Sequence, residues 1–225
     1  MKVVILAGGR GTRISEHTKL LPKPLIKIGK YPIILRIMMH YSKFGFNDFI
    51  IATGYKGNLV ENFFKRKFFN WNVSCIYTGL NTMTGGRIKK LKNFLGERFL
   101  LTYGDGLSDV NIKKLIDFHI KNKNIATLTA VRPPARFGGL KILKSKVTYF
   151  KEKSKLDEGW INGGFFVFER KIFRFIKNDK SILERNTLEN ICNLNKLGAF
   201  RHYGFWQCMD TLRDKEVLDK MFKYK

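Results

Sequence analysis

The run Lys2-Val3-Val4-Ile5-Leu6-Ala7-Gly8-Gly9-Arg10-Gly11-Thr12-Arg13 decides how this chain is read. Lys2 to Leu6 is apolar and β-branched, the composition of a buried strand, and it stops abruptly in a glycine loop. Three glycines between Gly8 and Gly11 can accept positive φ and let backbone N–H groups come close to a phosphate. The loop is not a P-loop, because no Gly-Lys-Ser/Thr follows at the required spacing. Nor is it the dinucleotide fingerprint, since Thr12, Arg13 and Ile14 follow where a third glycine is needed. Further on, Lys23 stands between Pro22 and Pro24, which restrict the backbone on both sides. Arg13 and Lys23 would give the loop two fixed cations.

Outward from this loop the chain alternates. Apolar positions 33, 34, 37, 38 and 41 have helical spacing and predict a helix over Pro32 to Phe44, with Gly45 as its stop. Strands are predicted over Asp48 to Thr53, Val73 to Tyr77, Phe99 to Tyr103 and Ile125 to Val131. Helices fall between them, over Leu59 to Phe69, Gly86 to Leu95 and Asn111 to Asn122. Such alternation predicts an α/β fold, a Rossmann-like, mostly parallel sheet with helices on both faces. After about residue 135 the rhythm turns strand-rich, over Gly139 to Leu143, Val147 to Glu152 and Gly164 to Phe168, before a closing helix from Asp210 to Phe222. No repeat or linker divides the chain, so residues 1–225 read as one domain with a small strand-rich C-terminal portion.

Composition narrows the function. Hydrophobic residues at 44% and charged residues at 27% are ordinary for a globular protein and exclude collagen and disordered classes. The longest uncharged stretch, Phe68 to Gly86, is too rich in Asn, Thr and Gly to span a bilayer. No signal-peptide pattern opens the chain, and the three unclustered cysteines Cys75, Cys192 and Cys208 suit a reducing cytoplasm. Lys and Arg number 43 against 18 acids, a net charge of +25. The positive residues are spread along the whole length without a helix-turn-helix, zinc-finger or RNA-binding signature, so a specific nucleic-acid partner is not expected. The four histidines have no metal-like spacing, and no serine-triad motif occurs.

Two acids carry the remaining chemistry. Asp105 sits between Gly104 and Gly106 at the carboxyl end of a predicted strand, where open α/β sheets bind ligands. Asp210 follows the aromatic pair Phe205-Trp206. Two carboxylates suffice for Mg²⁺, which keeps several waters and leans on substrate phosphates. Read alone, Asp105 is equally a turn residue and Asp210 a helix N-cap.

The motif Leu-Ala-Gly-Gly-x-Gly-Thr-Arg, followed by Pro22-Lys23-Pro24, resembles the signature of the sugar-1-phosphate nucleotidylyltransferases. The resemblance runs nearly end to end. It includes Gly54-Tyr55-Lys56-Gly57, Met83-Thr84-Gly85-Gly86-Arg87, Thr102-Tyr103-Gly104-Asp105-Gly106, Asp117-Phe118-His119 and Arg136-Phe137-Gly138. The segments Trp160 to Val167 and Gly204 to Lys215 are similar to one branch, the glucose-1-phosphate cytidylyltransferases.

The resemblance implies the nucleotide-diphospho-sugar transferase fold and a homo-oligomer. It implies joining a nucleoside triphosphate, CTP by the branch, to a sugar 1-phosphate, glucose 1-phosphate by the branch, with release of pyrophosphate. Another triphosphate or another phosphate acceptor is the sister reading, and a non-catalytic basic nucleic-acid binder is the more distant one. The nucleotide set it implies is Leu6, Ala7, Gly8, Gly9, Gly11, Thr12, Arg13, Lys23, Thr82, Gly86, Arg87, Gly104 and Asp105. Arg13, Lys23 and Asp105 would be catalytic, and Asp105 with Asp210 would hold Mg²⁺. Glu152, Lys153, Asn162 and Gly163 would hold the sugar phosphate, Lys153 on the phosphate and the others on the hexose. Between Phe69 and Trp71 the chain is shorter than this branch, and Tyr77 and Arg10 depart from its usual residues.

Overall fold

A computed structural model describes residues 1–14, 18, 20–66, 69–133, 139–151 and 159–223. The opening strand forms as β1 (Val3–Ala7), followed by the two-residue strands β2 (Lys27–Ile28) and β3 (Tyr31–Pro32). Helix α1 (Ile33–Ser42), β4 (Asp48–Thr53), α2 (Gly57–Phe64) and β5 (Asn72–Tyr77) come next. After them lie α3 (Thr84–Lys90), β6 (Arg98–Tyr103), β7 (Gly106–Ser108), α4 (Ile112–Lys121) and β8 (Ala126–Val131). The second half supplies β9 (Gly139–Leu143), β10 (Lys146–Lys151), β11 (Ile161–Glu169) and α5 (Leu188–Asn193), then β12 (Leu197–Arg201), β13 (Trp206–Cys208) and α6 (Leu212–Phe222).

Seven strands form the main sheet in the order β12-β8-β11-β6-β1-β4-β5. The ladders β1/β4, β1/β6, β4/β5 and β12/β8 are parallel, and only β11 runs antiparallel to both of its neighbours. Alternation along β1 sends Val3, Ile5 and Ala7 to one core and Val4 to the other. Helices α1, α2, α4 and α6 supply the first core through residues such as Ile37, Val60, Leu115 and Leu218. Helices α3 and α5 supply the second through Ile88 and Ile191. The sheet is therefore covered on both faces, as expected. The C-terminal part is strand-rich, as expected: β9 and β10 form a two-stranded ribbon, β11 and β12 join the main sheet, and β13 pairs with β7.

Boundaries shift where local chemistry outweighs periodicity. The second helix starts at Gly57 and ends at Phe64, short of Phe69, whose φ of 55° cannot belong to a right-handed helix. Helix α3 starts at Thr84 and gives way to a 3₁₀ turn over Lys92–Phe94. His119 is buried against Thr127 Oγ1 at 2.8 Å and Glu169 at 3.1 Å, a structural position. Among the described residues, no helix is long and apolar enough to cross a membrane.

The topology fixes where a ligand can enter. From β1 the chain moves outward to β4 and β5, then returns to place β6 on the other side of β1. The carboxyl ends of β1 and β6 thus border a crevice at the point where the strand order reverses, the usual ligand position in open α/β sheets.

Candidate active site

A cleft of about 1390 Å³ opens at that crevice. Leu6, Ala7, Gly8, Gly9, Gly11 and Thr12 form its wall from β1, and Gly104 and Asp105 form the facing wall from β6. Lys23, Thr82, Arg87, Asn162, Gly163 and Asp210 complete the residues anticipated from the sequence. Gly86 does not belong with them. It packs on the Asp179 backbone, where a Cβ would come within 2.3 Å of the Asp179 carbonyl oxygen. Arg13 lies in the 3₁₀ turn Thr12–Ile14. The expectations for its side chain, for Glu152 and Lys153, and for Arg136-Phe137-Gly138 lie outside the described residues.

The centre of the cleft is a three-way ionic contact. Lys23 Nζ donates to Asp105 Oδ2 and to Asp210 Oδ1, at 2.7 Å in both cases. Each partner arrives by its own route. Pro22, at φ −64°, leads into a 3₁₀ turn over Lys23–Leu25 closed by Leu25 N donating to Pro22 O. Asp105 follows β6 directly. Asp210 is brought over by the β13/β7 ladder and by Met209 N donating to Asp105 O at 2.8 Å. Burial pulls the Lys23 pKa down, but the charges and hydrogen bonds of Asp105 and Asp210 outweigh it and hold the ammonium above its usual range. Lys23 is a fixed cation.

Asp210 is not the N-cap of α6, contrary to the simplest reading of its position. Thr211 is the cap: its hydroxyl accepts from Asp214 N at 3.2 Å, and Asp214 Oδ2 accepts from Thr211 N at 2.9 Å, a capping box. Gln207 Nε2 and Asp210 N also donate to the Asp214 carboxylate. Asp214 thus serves the helix end while the Asp210 carboxylate turns to Lys23. Thr211→Val is expected to cost about 1 kcal/mol of stability through loss of the cap, read as a lower midpoint in thermal denaturation.

The glycines of the loop have different jobs. Gly11 sits at φ 63°, the left-handed region. Gly8 makes room for Arg87: a Cβ there would lie 2.2 Å from Arg87 Nη1. The Arg87 guanidinium, almost fully buried, donates to Gly8 O at 3.0 Å, Thr53 O at 3.0 Å, Thr78 Oγ1 at 2.6 Å and Gly79 O at 2.8 Å. These acceptors lie at the carboxyl ends of β1, β4 and β5, so Arg87 holds three strand ends together beneath the loop. Arg10 lies over the Tyr55 ring, 5.8 Å from its centroid.

At the other end of the cleft, Asn162 Oδ1 accepts from Gly164 N at 2.9 Å and its Nδ2 donates to the Tyr103 hydroxyl at 3.3 Å. Trp206 Nε1 donates to Gly163 O at 2.7 Å, which ties the start of β11 to β13. Tyr103, Glu184, Trp206 and Arg213 also line the cleft, and no role for them had been read from the sequence. Tyr103, Trp206 and Arg213 lie within motifs quoted above, whereas Glu184 carries no motif signal. Cys208 lines the cleft as well, but burial and then the charges of Asp210 and Asp105 push its thiol up to about 12, which leaves it a poor nucleophile.

Two carboxylates already sharing one cation fit a hard divalent ion. Among the described residues no group of three or more His, Cys, Asp or Glu side chains gathers as ligands. The pair would therefore need water and substrate oxygens to complete a shell, which suits Mg²⁺.

Residues 2–203 match the family described as nucleotidyl transferase. The chain is 44% identical to glucose-1-phosphate cytidylyltransferase of Salmonella typhimurium over 247 aligned positions, 99% of this chain and 96% of that protein. The alignment is longer than the chain itself, so the relative carries residues that this chain lacks. It is 32% identical to D-glycero-alpha-D-manno-heptose 1-phosphate guanylyltransferase of Aneurinibacillus thermoaerophilus, over 84% of each protein. Among solved structures, HddC from Yersinia pseudotuberculosis is similar, with a TM-score of 0.76, 26% identity and 99% of both chains covered.

Proposed function

The chain belongs to the nucleotidyl transferase family, and on that footing we propose that it transfers a cytidylyl group from CTP to glucose 1-phosphate, giving CDP-glucose and pyrophosphate. The observation that carries the proposal is the convergence of Lys23, Asp105 and Asp210 beneath the glycine loop. The 44% identity to a cytidylyltransferase supports the choice of base and sugar.

The reaction asks little covalent chemistry of the protein. An oxygen of the sugar phosphate, already ionised near neutral pH, attacks the α-phosphorus of CTP. The new O–P bond forms as the bond from that phosphorus to the pyrophosphate oxygen breaks, and no general base is needed. What remains is positioning and charge neutralisation. Backbone N–H groups of Gly9, Gly11 and Thr12 would receive the triphosphate. Gly9 is suited to this, since the space around its Cα is open and a phosphate can approach the backbone closely. Lys23 would neutralise charge developing near the α-phosphate, and Arg13 charge on the departing pyrophosphate. Asp105 and Asp210 would hold Mg²⁺, which when bound supplies further neutralisation of the phosphates. Asn162, Gly163 and Glu152 would contact the hexose, and Lys153 the sugar phosphate.

A pyrophosphate-release assay over the four ribonucleoside triphosphates and a panel of sugar 1-phosphates tests this reading. CTP with glucose 1-phosphate is expected to give the highest kcat/KM. Faster turnover of GTP with a heptose or mannose 1-phosphate would replace both substrate assignments, and no release from any pair would refute nucleotidyl transfer.

A further inference from the structure

Glu184 lies far from every motif, yet its carboxylate joins three separate walls of the cleft. Its Oε2 accepts from Thr84 Oγ1 at 2.9 Å, and Thr84 Oγ1 in turn accepts from Leu183 N at 2.8 Å. Its Oε1 accepts from the Tyr103 hydroxyl. The same hydroxyl oxygen receives Asn162 Nδ2, while Asn162 Oδ1 is taken by Gly164 N. An ionised carboxylate only accepts, and a backbone N–H only donates. Every donor in the chain Asn162–Tyr103–Glu184 must therefore point toward Glu184, and the Asn162 amide has one allowed orientation. In that orientation one N–H and one lone pair of the amide remain for a ligand.

We propose that Glu184 is a positioning residue for the acceptor sugar: it acts through Tyr103 to fix the Asn162 amide so that one donor and one acceptor meet the hydroxyls of a hexose 1-phosphate. This rests on the sugar-phosphate reading of Asn162 given above. Glu184→Gln is the informative change. Glutamine can keep the Thr84 bond through its oxygen, but it then offers an N–H to Tyr103, whose own proton is left to seek Asn162 Oδ1. Accepting that proton means turning the amide over and losing the Gly164 N contact. The effect should fall on the sugar and spare the nucleotide.

The experiment measures KM for glucose 1-phosphate and for CTP, with thermal denaturation, in the wild-type protein, E184Q, Y103F and the double variant. Removal of one oriented hydrogen bond corresponds to a rise of about tenfold in KM for the sugar phosphate. KM for CTP should stay within about twofold, a shift too small for a lost hydrogen bond. Y103F, which retains the ring contact with Phe166 at 5.6 Å, should give the same rise, and the double variant no further rise, because both changes cut one chain. Should E184Q fail to fold, Y103F reads the same link. Equal rises in both KM values, an unchanged sugar KM with only a lowered melting temperature, or additive effects in the double variant would overturn the proposal. A wild-type protein that releases no pyrophosphate with any sugar phosphate would instead overturn the reading beneath it.

Discussion

Asp105→Asn should leave the protein folded and reduce turnover by about a thousandfold, the upper end of what loss of one preorganised electrostatic contact costs an enzyme. Asparagine has the same shape, so the backbone bonds that seat the residue, Gly104 N to Leu6 O and Met209 N to Asp105 O, can persist. What disappears is one of the two negative charges that hold Lys23 in place. The loss cannot be made good by Asp210 alone, since a hard divalent cation bound by few protein groups depends on each anionic oxygen. Asp210→Asn should behave alike, while the capping box of Thr211 and Asp214 keeps α6 in position. The check is steady-state pyrophosphate release beside far-UV circular dichroism and thermal denaturation. A native-like rate in either variant removes the acidic pair from the mechanism.

Arg87→Met carries the largest expected effect on stability, a loss of about 3 kcal/mol, since hydrogen bonds to a charged group contribute about 1.5–3 kcal/mol each. Methionine replaces much of the arginine's volume but donates nothing. Gly8 O, Thr53 O, Thr78 Oγ1 and Gly79 O would lose their shared donor where three strands end side by side. Gly8 O would keep Tyr55 N, and Thr53 O would keep Thr78 N and Thr78 Oγ1. The cost therefore comes from the lost charge-assisted bonds and from Gly79 O, an acceptor whose loss of its donor costs on the order of 1–3 kcal/mol. For a chain of this length the melting temperature should fall by about 10 °C. Arg87→Lys should recover only part of the loss, because an ammonium cannot reproduce the planar fork that spans several carbonyls. A melting temperature unchanged by Arg87→Met would contradict the role of Arg87 as the clamp beneath the loop.

That role shows where the sequence was sufficient and where it was not. The apolar runs of β1, β4 and β6 are rich in β-branched, leucine or aromatic residues and bounded by glycine or polar residues, and each forms within a residue or so of its predicted position. β12 could not be read in the same way. Leu197-Gly198-Ala199-Phe200-Arg201 has weak strand propensity and becomes a strand by pairing with β8. The three-residue strands β7 and β13 exist because they pair with each other. In the site, the glycine loop and Asp105 were legible because both follow strands. Asp210 was legible only through family resemblance, since its meeting with Asp105 depends on the β7/β13 ladder. Glycine spacing also did not reveal that Gly8 accommodates a buried arginine, or that Gly86 serves packing on Asp179. Glu184 left no trace in the sequence because its partners, Thr84 and Tyr103, lie far away along the chain.

The central claim is that Asp105 and Asp210, parted along the sequence and joined by Lys23, form one cation site that works with a nucleotide. The direct measurement is Mn²⁺ binding by electron paramagnetic resonance in the presence of a CTP analogue with a methylene bridge between its α- and β-phosphorus atoms. One ion per chain is expected in the wild-type protein, with its affinity lowered at least about tenfold by Asp105→Asn and equally by Asp210→Asn, as befits two ligands of one ion. Binding that is unchanged in both variants, or weakened by one and indifferent to the other, would contradict it.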